Sequence, residues 1–326
     1  MADSSSGRVA ETKATQGETK RHSAPVNFLI RLIKEKPLGT IGAVITLFLL
    51  LTGIFADFLA PYGMNEQHWA EALGAPSVRF WLGTDNLGRD LLSRVIFGAR
   101  ISMIVGLAAT TLSTFFAVVI GVLSAYIGGK FDLIVQRFVD AVMCLPSLIL
   151  LMLIMSMVGT GMLPLIIVMG IRGGIVSSRI IRSAVIGIKE NVYVEAAVAI
   201  GCPTSRVLIR HILPNIMAPI IVVFSLRVPG VILQEAALSF LGFGIPLPAP
   251  SWGGMLSGRG RDFMFMAPWM VIWPGLALSI AVYGINMFGD AVRDILDPRL
   301  RGGVGRYGVR VKKEASKLES NMSKEA

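Results

Sequence analysis

The chain has 326 residues, 53% apolar and 16% charged, with 31 Lys and Arg against 21 Asp and Glu for a formal net charge of +10, and its mean hydropathy is +0.67. A soluble domain carries about 25% charged residues, and a single soluble core of this size needs far more polar surface than the sequence supplies. Disorder is excluded, an ordinary soluble enzyme is disfavoured, and hydropathy assigns the positive balance to a membrane surface rather than to nucleic acid.

Spans are sought where charge-free runs reach the roughly 20 residues needed to cross the hydrocarbon core. Residues 1–25, rich in Ser, Thr and Lys without an apolar period, read as a disordered cytoplasmic tail. Their charges, from Asp3 to Arg21, are too dense for a signal peptide. Residues 26–100 comprise helix 1, near 38–58, and an extracytoplasmic cap. A core over 101–295 holds helix 2 near 101–127, helix 3 near 138–158 and helix 4 near 162–183. An inner loop over 184–212, helix 5 near 213–236 and helix 6 near 267–289 complete it. A basic cytoplasmic tail occupies 296–326. As one helix, the apolar stretch 141–171 would run about 46 Å, too long without strong tilt; Gly159-Thr160-Gly161 and Pro164 mark the break. On helix 2, Gly106, Ala109 and Gly121 are candidates for close approach of another backbone.

Charge tests the span count. Six spans place 24 of the 31 Lys and Arg in inner segments or at inner helix ends. Five would turn the cluster between Arg172 and Arg210 outward, against the concentration of Lys and Arg on the cytoplasmic side. The expected fold is all-α, integral to the membrane, with six spans and both termini cytoplasmic.

The inner loop is the most informative non-spanning segment. Tyr193 to Ala199 is an Ala-rich helix, Gly201 can take positive φ at its end, and Pro203 suits the start of a second short helix before Pro214 and helix 5. A compact helix-turn-helix between two spans suits docking in a groove on a cytoplasmic partner, although a solvated connector has a similar composition. Glu195-Ala196-Ala197, Gly201 and Leu213-Pro214 resemble the EAA loop of prokaryotic ABC-importer permeases. His211 stands where the general pattern has Ile, and His211-Ile212-Leu213-Pro214-Asn215 resembles the peptide-permease branch. Glu235-Ala236-Ala237 repeats only the tripeptide, since Leu241 stands where Gly is required. The outer segments from Trp81 to Ser102 and from Ala237 to Gly253, with Asp297-Pro298-Arg299, extend the resemblance over about 30–300. It is nearest to the C-type permease subunit of dipeptide, oligopeptide and nickel importers.

That resemblance implies a type I bundle in the inner membrane, working with a second homologous permease, two cytoplasmic ATPase subunits and an extracytoplasmic substrate-binding protein. ATP and Mg would reside on the ATPase partners, with no cofactor, metal or catalytic residue on this chain and di- or oligopeptides as cargo. Glu195, Ala196, Ala197 and Gly201 would couple the chain to the ATPases, framed by Pro203, Leu213 and Pro214, with Glu195 capping its helix or pairing with a partner Arg. Gly83 to Gly88 has the glycine spacing of a phosphate loop, but Arg89-Asp90 replaces Lys-Ser/Thr.

Polar residues within the spans are read separately. Arg172, Arg179 and Arg182 fall within about 80° on helix 4; Arg179 and Arg182 are expected to snorkel to the inner interface. Arg172 sits deeper, as a contact to a substrate carboxylate, an ion-pair member or the wall of a watery vestibule. Arg227 and Glu235 lie about 12 Å apart along helix 5, so each needs a partner elsewhere. Arg172, Arg227 and Glu235 are the candidate substrate-path residues, and Asp140 is expected at the interface. Trp81 and Trp252 are candidates for docking the binding protein, or form an aromatic belt with Trp69 and Trp269. Cys144, Cys202 and the scattered His22, His68 and His211 define neither a disulfide framework nor a metal site. An ion-coupled secondary transporter is the rival, but it calls for internal repeats and midplane carboxylates, of which only Glu235 is a candidate. A membrane enzyme has no nucleophile or metal motif to support it.

Overall fold

The computed structural model describes residues 24–296. The expected N-terminal tail up to residue 23, and the basic tail from 297 with Asp297-Pro298-Arg299, lie outside the described residues; Ala24 and Pro25 already open the first helix. The described residues contain helices and loops, with no strand among them beyond one isolated bridge between Thr84 and Asp90.

Helix α1 (Ala24–Glu35) gives way to α2 (Pro37–Ile54) at Lys36, because Pro37 has no N–H with which to continue the preceding helix. After α2 and the short α3 (Ala56–Leu59), a capping segment leads to α4 (Leu91–Ile127). This helix begins well before the expected start near 101 and is about 55 Å long by its rise, longer than the hydrocarbon core is thick. The early start is set by Asp90, whose Oδ2 accepts hydrogen bonds from the Ser93 N–H at 2.8 Å and the Ser93 hydroxyl at 2.6 Å. Arg100 on α4 donates to the carbonyls of Gly53 (2.7 Å) and Ile54 (3.2 Å), satisfying the free C-terminal end of α2.

The expected helix 3 is corrected. Residues 138–158 are not one helix: α5 (Gly129–Cys144) and α6 (Ser147–Val158) meet at 93° across Leu145-Pro146. Proline disfavours the helical region for the residue before it, and Leu145 is extended at ψ 133°. Alone, α6 is about 18 Å long, too short to cross. Among the described residues, five helices are long and apolar enough to cross a membrane, and six segments are if the bent α5–α6 pair counts as one span.

Beyond Gly159 and Gly161 follow α7 (Met162–Lys189) and α8 (Val192–Ala199). The second short helix of the inner loop is not separate from helix 5. The α9 turn (Thr204–Arg206), a π-helical turn (Val207–Ile212), a 3-10 turn (Leu213–Ile216) and α10 (Met217–Phe240) form one helical run over Thr204–Phe240. Pro214 removes one N–H from the helical ladder, and the wide and tight turns around it absorb the irregularity. Two short outer helices, α11 (Trp252–Leu256) and α12 (Arg259–Asp262), lead to α13 (Trp269–Leu296).

Helices α4 and α7 form the most extensive pair, and small residues explain why. A Cβ added at Gly121 would lie 2.7 Å from the Ser178 carbonyl oxygen and 2.9 Å from the Arg182 nitrogen. Against α10, one at Gly106 would lie 2.6 Å from Ile232 Cγ1, and Ala109 is fully buried. Backbones that close leave no room for side chains, as expected for helix 2.

Candidate functional site

The inner loop is built on a two-faced helix. Val194 of α8 turns inward, 2% exposed, onto Ile181 and Val185 of α7 and onto Val207, Ile212 and Ile216, and Ala197, one turn on, is buried as well, 7% exposed. Glu195 and Ala196 face out, so within Glu195-Ala196-Ala197 the last alanine is an anchor and the first two residues are surface. Gly201 has φ +80°; its N–H donates to the Val198 carbonyl at 2.9 Å and the Cys202 N–H donates to the Ala197 carbonyl at 3.0 Å. This paired closure is a Schellman motif, with glycine at the position that must be left-handed. Pro203 then opens the next helical run, its carbonyl accepting from Arg206 and Val207. Leu213 packs against the same core, while Pro214 is exposed. Glu195 does not cap α8: Asn191 occupies the N-cap position, and Glu195 makes no ion pair among the described residues.

Above this loop lies a charge network. Arg182 binds Asp132 through two bonds, Nε to Oδ1 at 2.6 Å and Nη2 to Oδ2 at 2.5 Å. The Ser124 hydroxyl also donates to Asp132, and Arg179 pairs with Asp140. Arg179 and Arg182 therefore tie α7 to α5 rather than only reaching for the interface. Lys189 Nζ donates to the Tyr126 carbonyl at 2.8 Å, joining the inner ends of α7 and α4. Asp132, Gln136 and Asp140 recur every four residues on one face of α5, opposite the Arg179 and Arg182 stripe. That matched spacing was available in the sequence as a signal.

The three candidate path residues separate. Arg227 Nε donates to Ser113 Oγ at 2.9 Å, and its guanidinium packs against Gly173, next to Arg172. Arg172 Nε is buried without a hydrogen-bond partner. Neither arginine is ion-paired among the described residues. Glu235 lies apart from them, fully buried, and accepts hydrogen bonds from Ser239 at 2.7 Å and Ser102 at 3.5 Å. Hydroxyls, rather than charges, are the partners that Arg227 and Glu235 find.

The outer cap is ordered by buried charge. Asp85 accepts from Arg89 Nε at 2.6 Å and from the backbone N–H groups of Leu87 and Arg89, and Arg94 Nε lies 3.7 Å from it. These side chains line a cavity of about 320 Å³ that also reaches Ser239 and Leu247. Of the two docking candidates, Trp252 is 1% exposed, donates to the Val95 carbonyl at 3.1 Å and packs in the core. Trp81 is exposed.

Residues 117–302 match the family described as binding-protein-dependent transport system inner membrane component, and residues 29–76 match the N-terminal transmembrane domain of oligopeptide transport permease C. The chain is 36% identical over 278 residues to a dipeptide transport system permease protein of Alkalihalophilus pseudofirmus, covering 85% of this chain and 91% of that one. It is 39% identical over 268 residues to an oligopeptide transport system permease protein of Bacillus subtilis (82% and 88% covered). It is 38% identical over 270 residues to a di/tripeptide transport system permease protein of Pseudomonas aeruginosa (81% and 89% covered). The chain belongs to the binding-protein-dependent transport permease family. The permease is thus a multi-pass inner-membrane transport subunit, and the secondary-transporter alternative lapses. Sequence reasoning placed the permease's loop by motif; it missed the α5–α7 charge network and the buried Asp85–Arg89–Arg94 cluster of the cap.

Proposed function

We propose that this permease is the C-type subunit of an ATP-driven peptide importer, pairing with a second homologous permease and docking two ATPase subunits from the cytoplasm. An extracytoplasmic binding protein would deliver the peptide, and ATP and Mg would be held by the ATPase chains. The observation that carries this reading is the outward face of the loop. Val192 and Ile200 are 80% and 85% exposed, and Val198 and Ile209 join them. Large apolar side chains grouped on a water-facing element mark a partner surface. The opposite face is keyed into α7 and the Thr204–Phe240 run through Val194. Movement of an ATPase groove would therefore pass directly to two spans, biasing the bundle between inward-open and outward-open arrangements. The residues of the 184–212 loop act as a rigid lever, and Glu195, without an ion pair among the described residues, is available to an Arg of the ATPase. The relatives, dipeptide, oligopeptide and di/tripeptide transport permeases, support di- and oligopeptides as cargo.

The test is purification of the tagged chain in mild detergent with its co-purifying proteins, followed by reconstituted uptake of labelled peptide. Recovery of an ATPase and a second permease, with uptake blocked by vanadate, is the expected result. A stable homo-oligomer without ATPase, whose uptake collapses with a protonophore alone, would overturn the reading.

A further inference from the structure

Two half-buried arginines from different spans come together with no counter-charge among the described residues. Arg172 is on α7 and Arg227 on α10, and Gly173 lets the Arg227 guanidinium lie against α7 beside Arg172. A Cβ at Gly173 would lie 2.9 Å from Arg227 Cζ, so the glycine is what admits the second guanidinium. Like charges on adjoining helices repel, the more so as the surroundings become less polar. Unpaired charge within a membrane span is costly and is kept where it lines a pathway or meets a ligand. Glu235 does not answer it, being enclosed by Ser102 and Ser239. The facing surface of α4 is polar as well. Ser113 orients Arg227 at 2.9 Å, and on the same helix face the hydroxyls of Thr110 and Thr114 are buried without hydrogen-bond partners. Two planar forks match a carboxylate, which guanidinium groups bind through paired hydrogen bonds.

We propose that Arg172 and Arg227, with Ser113 holding the second in place, form a carboxylate-binding site in the translocation path that takes the C-terminal carboxylate of a transported peptide. This rests on the peptide-import reading above. A C-terminal carboxylate is common to linear peptides of every sequence, so one site would serve cargo of differing side chains.

The test uses the assembled transporter in lipid nanodiscs without its binding protein, so that only the membrane site is read. Thermal stabilisation is measured against trialanine, trialanine amide and sodium acetate. Trialanine is expected to raise Tm and the amide is not. Arg172→Gln and Arg227→Gln are each expected to weaken the apparent affinity for trialanine about tenfold or more, while the Lys variants, which keep the charge but not the fork, retain part of it. Equal stabilisation by trialanine and its amide, or Gln variants that bind trialanine as the wild type does, would overturn the site. Arginine-dependent stabilisation by acetate without any by trialanine would overturn its assignment to peptides. Failure of vanadate-sensitive uptake would instead strike the importer reading, whatever these shifts show. If the Gln variants fail to assemble, the Lys variants and Ser113→Ala still decide: affinities equal to wild type in all three would overturn the proposal.

Discussion

Replacing Gly201 isolates what the loop's geometry contributes to coupling. No atom lies within 4 Å of a Cβ built at Gly201, so a substitution there meets no clash and its cost is the left-handed backbone alone, at φ +80°. For an L-residue that cost is about 1–2 kcal/mol, which lowers the population of the closed turn about 5–30-fold. A β-branched residue costs more, and Asn, which visits this region readily, costs less. Val, Ala and Asn at position 201 should therefore rank in that order of damage. The reporters are the amides of residues 201 and 202, which donate to the Val198 and Ala197 carbonyls. Their hydrogen-exchange protection in the assembled complex should fall by the same factor, and peptide taken up per ATP hydrolysed should fall in the same rank. Membrane insertion should stay normal, because the buried anchors Val194 and Ala197 are untouched. Wild-type protection and stoichiometry in Gly201→Val would refute the reasoning. Equal damage from Asn and Val would assign the effect to a partner contact instead of the backbone.

Breaking the Arg182–Asp132 pair should destabilise the α5–α7 junction by about 1–3 kcal/mol, and a double-mutant cycle with Arg182→Gln and Asp132→Asn measured by denaturation should return a positive coupling energy. Gly121→Ala should cost more than a kcal/mol by forcing α4 from α7, whereas Gly187→Ala, which meets no atom within 4 Å inside α7, should stabilise by about 0.5–1 kcal/mol; melting of the two variants side by side checks the sign. The hydrogen bond from Arg100 holds the Asp57 carboxyl below the usual carboxylate range. This tether's contribution is present above the unfolded carboxylate value near 3.9 and is lost as pH falls through the lower folded one. Stability of Asp57→Asn relative to wild type should thus be flat from pH 8 to about 5 and converge below about 4. Trp252→Ala should cost about 3–5 kcal/mol through loss of a buried aromatic, while Trp81→Ala should leave melting unchanged; binding-protein titration of the reconstituted complex then reads any docking role of Trp81.

Composition and charge were enough to read a membrane bundle with its basic face inward, because the hydrocarbon core demands long charge-free runs and the Lys and Arg distribution orients them. Local chemistry also made the loop legible: Gly201 is where a left-handed cap was expected, and Gly106, Ala109 and Gly121 are where helices approach. These features depend on a residue and its near neighbours in the chain. The Asp90 cap on Ser93, three residues on, and the Pro146 break at Leu145 are local signals as well, which a reading by hydropathy alone passes over. What depended on distant neighbours was decided only by the tertiary structure. Trp252 became core, and Arg182 a bridge to Asp132, because burial and pairing are set by the helix that arrives opposite. Arg172 and Arg227, 55 positions apart by number, become neighbours only through a glycine between them on α7.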